Sequence, residues 1–113
     1  MSLRIDKHLL NQSFDYYEFE KEDTWASSSY KESITVNNVR IDENQEIVQI
    51  SSGVSRVVCS AIAFIYVSDT TPLPEFKRRS KVVTKNGSYI INKIIKINEP
   101  FADKLWSVEL ELI

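Results

Sequence analysis

Apolar residues along this chain recur with period two far more often than with the 3.6 of a helix, and this predicts strands. "QSFDYYEFE" (Gln12 to Glu20) puts Phe14 and Tyr16 on one face and Tyr17 and Phe19 on the other, a slip of one residue that predicts a bulge. "YKESITVNNVRID" (Tyr30 to Asp42) alternates through Ile34 and Val36, stumbles at Asn37-Asn38 and resumes at Val39 and Ile41, which again suits a bulged strand. "RVVCSAIAFIYVS" (Arg56 to Ser68) is apolar on both faces, with small Cys59, Ala61 and Ala63 opposite large Val58, Ile62, Phe64 and Tyr66. A strand buried on both sides reads this way, and its β-branched residues disfavour the alternative of a buried helix.

The last third of the chain contains a hairpin signal. In "KVVTKNGSYIINKIIKI" (Lys81 to Ile97), Asn86-Gly87 stands between two apolar runs, and both residue types tolerate the positive φ of a two-residue type I′ turn. On the second arm Tyr89, Ile91, Ile95 and Ile97 share one face, Ile90, Asn92 and Ile94 the other. In the last run, "KLWSVELELI", Trp106, Val108, Leu110 and Leu112 point one way and Ser107, Glu109 and Glu111 the other. The expected fold class is all-β, a small antiparallel β-barrel of about six strands in which Phe64, Ile91, Trp106, Val108 and Leu110 share the core. Helix is expected only as a turn or two near Lys7 to Leu10 and a short piece at Glu75 to Arg79 after Pro74.

Two connections stand out. Glu43 to Ser55, "ENQEIVQISSGVS", is a long loop between the second and third strand patterns, and its Ile47, Val48 and Ile50 argue against simple disorder. One reading extends both strands into a protruding arm tipped by Ser51-Ser52-Gly53; the other makes the same arm reach a partner. Asp69 to Lys81 carries Pro72 and Pro74 and then the cations Lys77, Arg78, Arg79 and Lys81, either a solvated face or a docking patch for an acidic neighbour or for phosphates.

At 113 residues the chain is expected to be one domain, 1–113, able to bury about two thirds of its unfolded surface. Fourteen basic against sixteen acidic side chains lack the basic footprint of a dedicated nucleic-acid binder. Cys59 is the single cysteine and His8 the single histidine, so a nucleophilic pair would require a long-range meeting with a core strand. Carboxylates follow turns and exposed faces with no metal-ligand spacing, and two glycines are too few for a phosphate-cradling loop. No enzyme, no metal and no cofactor is expected. The N-terminus has no export signal and no stretch approaches the roughly 20 apolar residues of a membrane span, which points to synthesis in a reducing, intracellular compartment.

The order of these motifs carries a resemblance. An aromatic first strand with the acidic "EDTW" turn, the apolar "AIAFIYV", Pro and Phe before a basic turn, a hairpin of form K-x-V-x-x-N-G-x-Y-x-I and a terminal "LWSVELEL" together resemble, over nearly the whole chain, the minor capsid proteins of Gram-positive siphophages and prophages. That family is similar to the head-completion or stopper proteins of the head-to-tail connector. The resemblance implies a β-barrel subunit of a homo-oligomeric ring, hexameric or dodecameric, made in the bacterial host cytoplasm and built into the virion connector. The ring would close the DNA-filled head between the portal with its adaptor and the tail proteins, with DNA passing and no sequence-specific grip. It also implies that the loop between the second and third strands projects into the channel, so that Glu46, Ile47, Gln49, Ile50, Ser52 and Gly53 would form the stopper element. The alternatives are a tail-completion or other neck protein of the same machine, and a small nucleic-acid-binding barrel. The last would need stacking aromatics on an exposed basic face, whereas Asp15, Glu18 and Glu20 interleave Tyr16, Tyr17 and Phe19.

Overall fold

The computed structural model describes residues 9–22, 28–43, 46–51 and 54–113, with the backbone alone described for 46–51 and 54–59. Ten strands run in chain order: β1 (Gln12–Tyr17), β2 (Phe19–Glu22), β3 (Ser28–Tyr30), β4 (Ile34–Asp42), β5 (Glu46–Ser51), β6 (Val54–Cys59), β7 (Ala61–Tyr66), β8 (Lys81–Thr84), β9 (Gly87–Asn98) and β10 (Leu105–Leu112). Six of them close a barrel in the order β1-β4-β7-β10-β9-β8, every neighbour antiparallel. The other four form two hairpins outside that ladder, β2-β3 and β5-β6. The fold class expected from periodicity is therefore the one observed. The helical turn expected at Glu75 to Arg79 is absent, and that segment is irregular.

The barrel interior is filled by side chains, as a barrel of this size requires. Phe14 and Tyr16 of β1, Val36, Val39 and Ile41 of β4, and Val108, Leu110 and Leu112 of β10 are buried. Phe76, from the loop before β8, packs among them, with its ring edge-on to Tyr16 at 5.0 Å and tilted to Phe14 at 6.2 Å. Ala61 and Ala63 face inward without any exposure. Small residues suit β7 there because the aromatic rings already occupy the interior.

Several sequence expectations change at strand ends and bulges. The slip in Gln12 to Glu20 is the point where the chain leaves the barrel: β1 stops at Tyr17, Glu18 lies outside any strand and β2 begins a separate hairpin. The stumble at Asn37-Asn38 is a bulge, as expected. Gln12 pairs with Val39 but Ser13 with Asn37, leaving Asn38 as the extra residue at φ 61°. Its Nδ2 donates to the Asp69 carbonyl at 3.1 Å, and its own carbonyl accepts from the buried Thr70 hydroxyl at 2.9 Å.

The long apolar run Arg56 to Ser68 is two strands and not one. It bends at Ser60, so that Val54–Cys59 belongs to a hairpin arm and only Ala61–Tyr66 to the barrel. Cys59 is thereby placed in the arm instead of a core strand. Along β7 burial alternates, with Ala61, Ala63 and Ile65 inside and Ile62, Phe64 and Tyr66 half-buried on the outer face. Phe64 therefore is not a core residue. Nor is Trp106. Leu105 pairs with Asn98 and Ser107 with Ile97, so Trp106 is the extra residue of a bulge and is only partly buried, edge-on to Tyr66 at 5.5 Å. Ile91, Val108 and Leu110 are buried as expected.

A second bulge resets β9. Glu111 pairs with Lys93 and Leu112 with Ile91, leaving Asn92 over, so Ile94 swings to the core side that Ile91 occupies and Ile95 and Ile97 turn outward. The β8-β9 turn is displaced by one residue from its expected place. Thr84 pairs with Gly87, so Lys85 and Asn86 form the tip. Neither has positive φ, which excludes type I′; Gly87 alone takes an unusual value, 156°.

Candidate functional site

Two hairpins and one basic segment could do work beyond holding the barrel together. The arm is the larger hairpin. Glu46–Ser51 pairs with Val54–Cys59 antiparallel, and neither strand pairs with the barrel. Six extended residues span about 20 Å. Glu46, Ile47, Gln49 and Ile50 of the expected stopper element are thus on β5, while Ser52 and Gly53 lie outside the described residues. The connection is regular structure, as expected from the reading that extends both flanking strands into an arm, because β-branched residues on both sides of the tip favour pairing.

The root of the arm is tied to the barrel by Glu43, the residue after β4. Its carboxylate accepts from Asn86 Nδ2 at 2.8 Å and from the Thr84 hydroxyl at 3.4 Å. Asn86, conspicuous in sequence as a turn former, thus serves as a strut between the β8-β9 turn and the arm. Thr84 Oγ1 also accepts from the Asn86 backbone N–H at 3.1 Å, which stiffens the turn. Burial, followed by the neighbouring charge of Glu43, raises the Tyr89 phenol above its ordinary value. A cleft of about 380 Å³ opens here, its lining including Gln12, Asp15, Glu43 and Lys85 beside Phe14, Ile41 and Val83.

The basic segment is occupied within the molecule. Arg79, held at φ 71°, lays its guanidinium over the Phe19 ring at 4.3 Å and reaches the Glu22 carboxylate at 3.1 Å. Lys81 Nζ sits 4.6 Å from the Tyr17 ring centre and 5.2 Å from that of Tyr30. Lys77 Nζ donates to the Phe19 carbonyl at 3.4 Å. Three of the four cations singled out in sequence therefore clasp the β2-β3 flap to the barrel. Arg78 points elsewhere, its Nε donating to the Asn92 carbonyl at 3.0 Å.

Beneath the clasp lies a buried polar hub that sequence reasoning missed. Ser80 is fully buried; its hydroxyl accepts from the Phe19 N–H at 2.9 Å and lies 3.2 Å from the Tyr16 hydroxyl, which in turn accepts from the Lys77 N–H at 2.9 Å. This hub fixes the place where β1 ends and the flap departs. A serine between Arg79 and Lys81 gave no sign of it, because the basic run around it reads as solvated.

Among the described residues, no group of three His, Cys, Asp or Glu side chains could hold a metal ion. The chain is a closed, side-chain-filled β-barrel bearing two hairpin appendages. A family model described as Minor capsid protein matches residues 6–112, and the chain belongs to that family. Membership supports a structural, non-enzymatic phage protein, a component of the virion. No curated protein and no solved structure matches the chain.

Proposed function

We propose that this minor capsid protein is a subunit of the head-to-tail connector, a head-completion or stopper protein that assembles into a ring, closes the DNA-filled head and docks the tail. The observation that carries the reading is the β5-β6 arm, a two-stranded hairpin of six-residue strands that takes no part in the barrel ladder yet is braced at its root by Glu43. An isolated two-stranded hairpin is marginal in water, so an arm of this length gains its stability from contacts with something else. Ring symmetry supplies such contacts, since each weak joint is reinforced by neighbours held at high effective concentration. The stopper element would be Glu46, Ile47, Gln49, Ile50, Ser52 and Gly53, and strand addition between arms would form the plug.

A nucleic-acid-binding barrel has less support. The aromatic rings that would stack on bases, Tyr17, Phe19 and Tyr30, are covered by Lys81 and Arg79. The test is a phage in which residues 45–55 are replaced by a short Gly-Ser linker. The barrel should fold with its melting temperature little changed, while heads leak DNA or fail to become infectious particles. Normal titre with fully retained DNA would refute the stopper role.

A further inference from the structure

Closure of the barrel is uneven along β9. β8 pairs with it only from Gly87 to Ile90. The chain just before β8 adds one further exchange, Arg79 N–H to Ile91 O and Ile91 N–H to Ser80 O, both 2.9 Å. β10, by contrast, stays paired with β9 as far as Asn98. From Lys93 to Asn98, β9 therefore has a ladder partner on one side only among the described residues.

Which backbone groups this leaves open follows from the alternation of an antiparallel ladder, where successive residues bond to opposite sides. On β10, Ile113 bonds to Ile90 of β9 whereas the Leu112 carbonyl accepts from Ser60 on the β7 side. Glu111 and Glu109 accordingly face β9, opposite Lys93 and Ile95. The N–H and C=O groups of Ile94 and Lys96 then point outward from the ladder. An edge of this kind is a template for another strand.

Open depressions in the surface lie beside this edge. Two adjoining grooves of about 540 and 240 Å³ share Phe76, Ile94 and Lys96. The smaller has a mainly apolar lining that includes Ile94, Leu105, Val108 and Leu73, the last exposed by 41%. The larger carries Arg78, Lys93 and Lys96. The ion pairs of the described residues are Lys31 with Glu18 and Arg79 with Glu22, so these three cations are unpaired among them. One carboxylate, Glu75, lies in the combined lining.

We propose that the free edge of β9 is a docking site for an extended acidic segment of a partner protein, which adds as a further strand beside Ile94 and Lys96. Lysines on an edge strand ordinarily discourage pairing, and a second copy of this same edge would set Lys93 and Lys96 against themselves. A strand bearing carboxylates meets the opposite situation. Its main chain completes the open hydrogen bonds, an aliphatic side chain enters the groove at Ile94, and a carboxylate two positions along reaches Lys96.

The experiment titrates the whole chain with the blocked peptide acetyl-TVEETV-amide at low salt and follows backbone amide NMR shifts. Shifts should concentrate at residues 92–98 and 73–78. Acetyl-TVKKTV-amide should bind at least tenfold more weakly, and the K93E/K96E variant, checked for a native spectrum, should reverse that preference. Alternate N-methylation of the peptide backbone should abolish binding. Absence of shifts at millimolar peptide, equal binding of the N-methylated peptide, or stronger and identically placed shifts from a short DNA duplex would each overturn the proposal.

Discussion

At the scale of single residues, the most consequential atoms in this protein are two hydroxyls. Tyr16 and Ser80 together satisfy the backbone N–H groups of Lys77 and Phe19 at the point where the barrel ends and the flap begins. Removing one partner leaves a part-buried donor unsatisfied, which costs up to about 1–3 kcal/mol. Tyr16→Phe and Ser80→Ala should each lower stability by that amount in urea unfolding, although both keep the apolar packing. Leu110→Ala, a fully buried truncation, should cost about 2–5 kcal/mol. Trp106→Ala should cost less than Leu110→Ala, because its ring is only partly buried and its removal leaves no enclosed cavity. A Trp106 variant as damaging as the Leu110 variant would show that the outer face of β10 is covered in solution. Arg79 offers a sharper comparison. Its left-handed backbone costs a side-chain-bearing residue about 1–2 kcal/mol, so Arg79→Gly should be more stable than Arg79→Ala although both lose the clasp.

At the scale of elements, the flap and the arm are held by different means. The β2-β3 flap rests on cation–ring contacts and on exposed ion pairs, each modest alone. Arg79→Ala combined with Lys81→Ala should therefore speed hydrogen exchange in β2 and β3 while leaving that of β7 and β10 unchanged. The pH dependence of the flap follows from one of these pairs. The hydrogen bond from Lys31 holds the Glu18 carboxyl below its ordinary value of 4.5, and the same bond lifts the Lys31 ammonium above its ordinary 10.5. The support from Glu18 is present above the ordinary carboxylate value and is lost as pH falls through its lowered one. The support from Lys31 is present below the ordinary lysine value and is lost as pH rises through its raised one. Protection of the flap amides, taken relative to the intrinsic exchange rate at each pH, should thus be greatest across the neutral range and fall at both extremes; a flat protection profile would mean that the pair contributes nothing.

Strand existence was legible in these elements because alternation survives wherever one face is buried. Strand ends were less so. A break such as Glu18 or Ser60 and a bulge such as Asn92 or Trp106 shift the phase of alternation without announcing whether the chain bends within a sheet or leaves it. Asn38 could be read because two asparagines in succession interrupt a clean pattern. The arm was legible as a segment, since its length and apolar content were both unusual, but the clasp was not. Whether Arg79 and Lys81 meet water or aromatic rings depends on contacts with Phe19, Tyr17 and Tyr30, some fifty to sixty positions away.

At the scale of the molecule, the barrel is completed by β10, which lies between β7 and β9 and pairs with both along most of its length. Truncation after Lys104 would expose one edge of each neighbour and strip Val108, Leu110 and Leu112 from the core. Such a chain should show no cooperative thermal transition and should aggregate, whereas replacement of the arm leaves both properties intact. Retention of a sharp transition by the truncated chain would mean that five strands suffice. The arrangement also orders events in time. β10 is the last barrel strand to be synthesised, and β7 and β9 wait for it with unpaired edges. On a ribosome the local hairpins can form as they emerge, yet the frame that sets the angle between flap and arm exists only once that final strand has arrived.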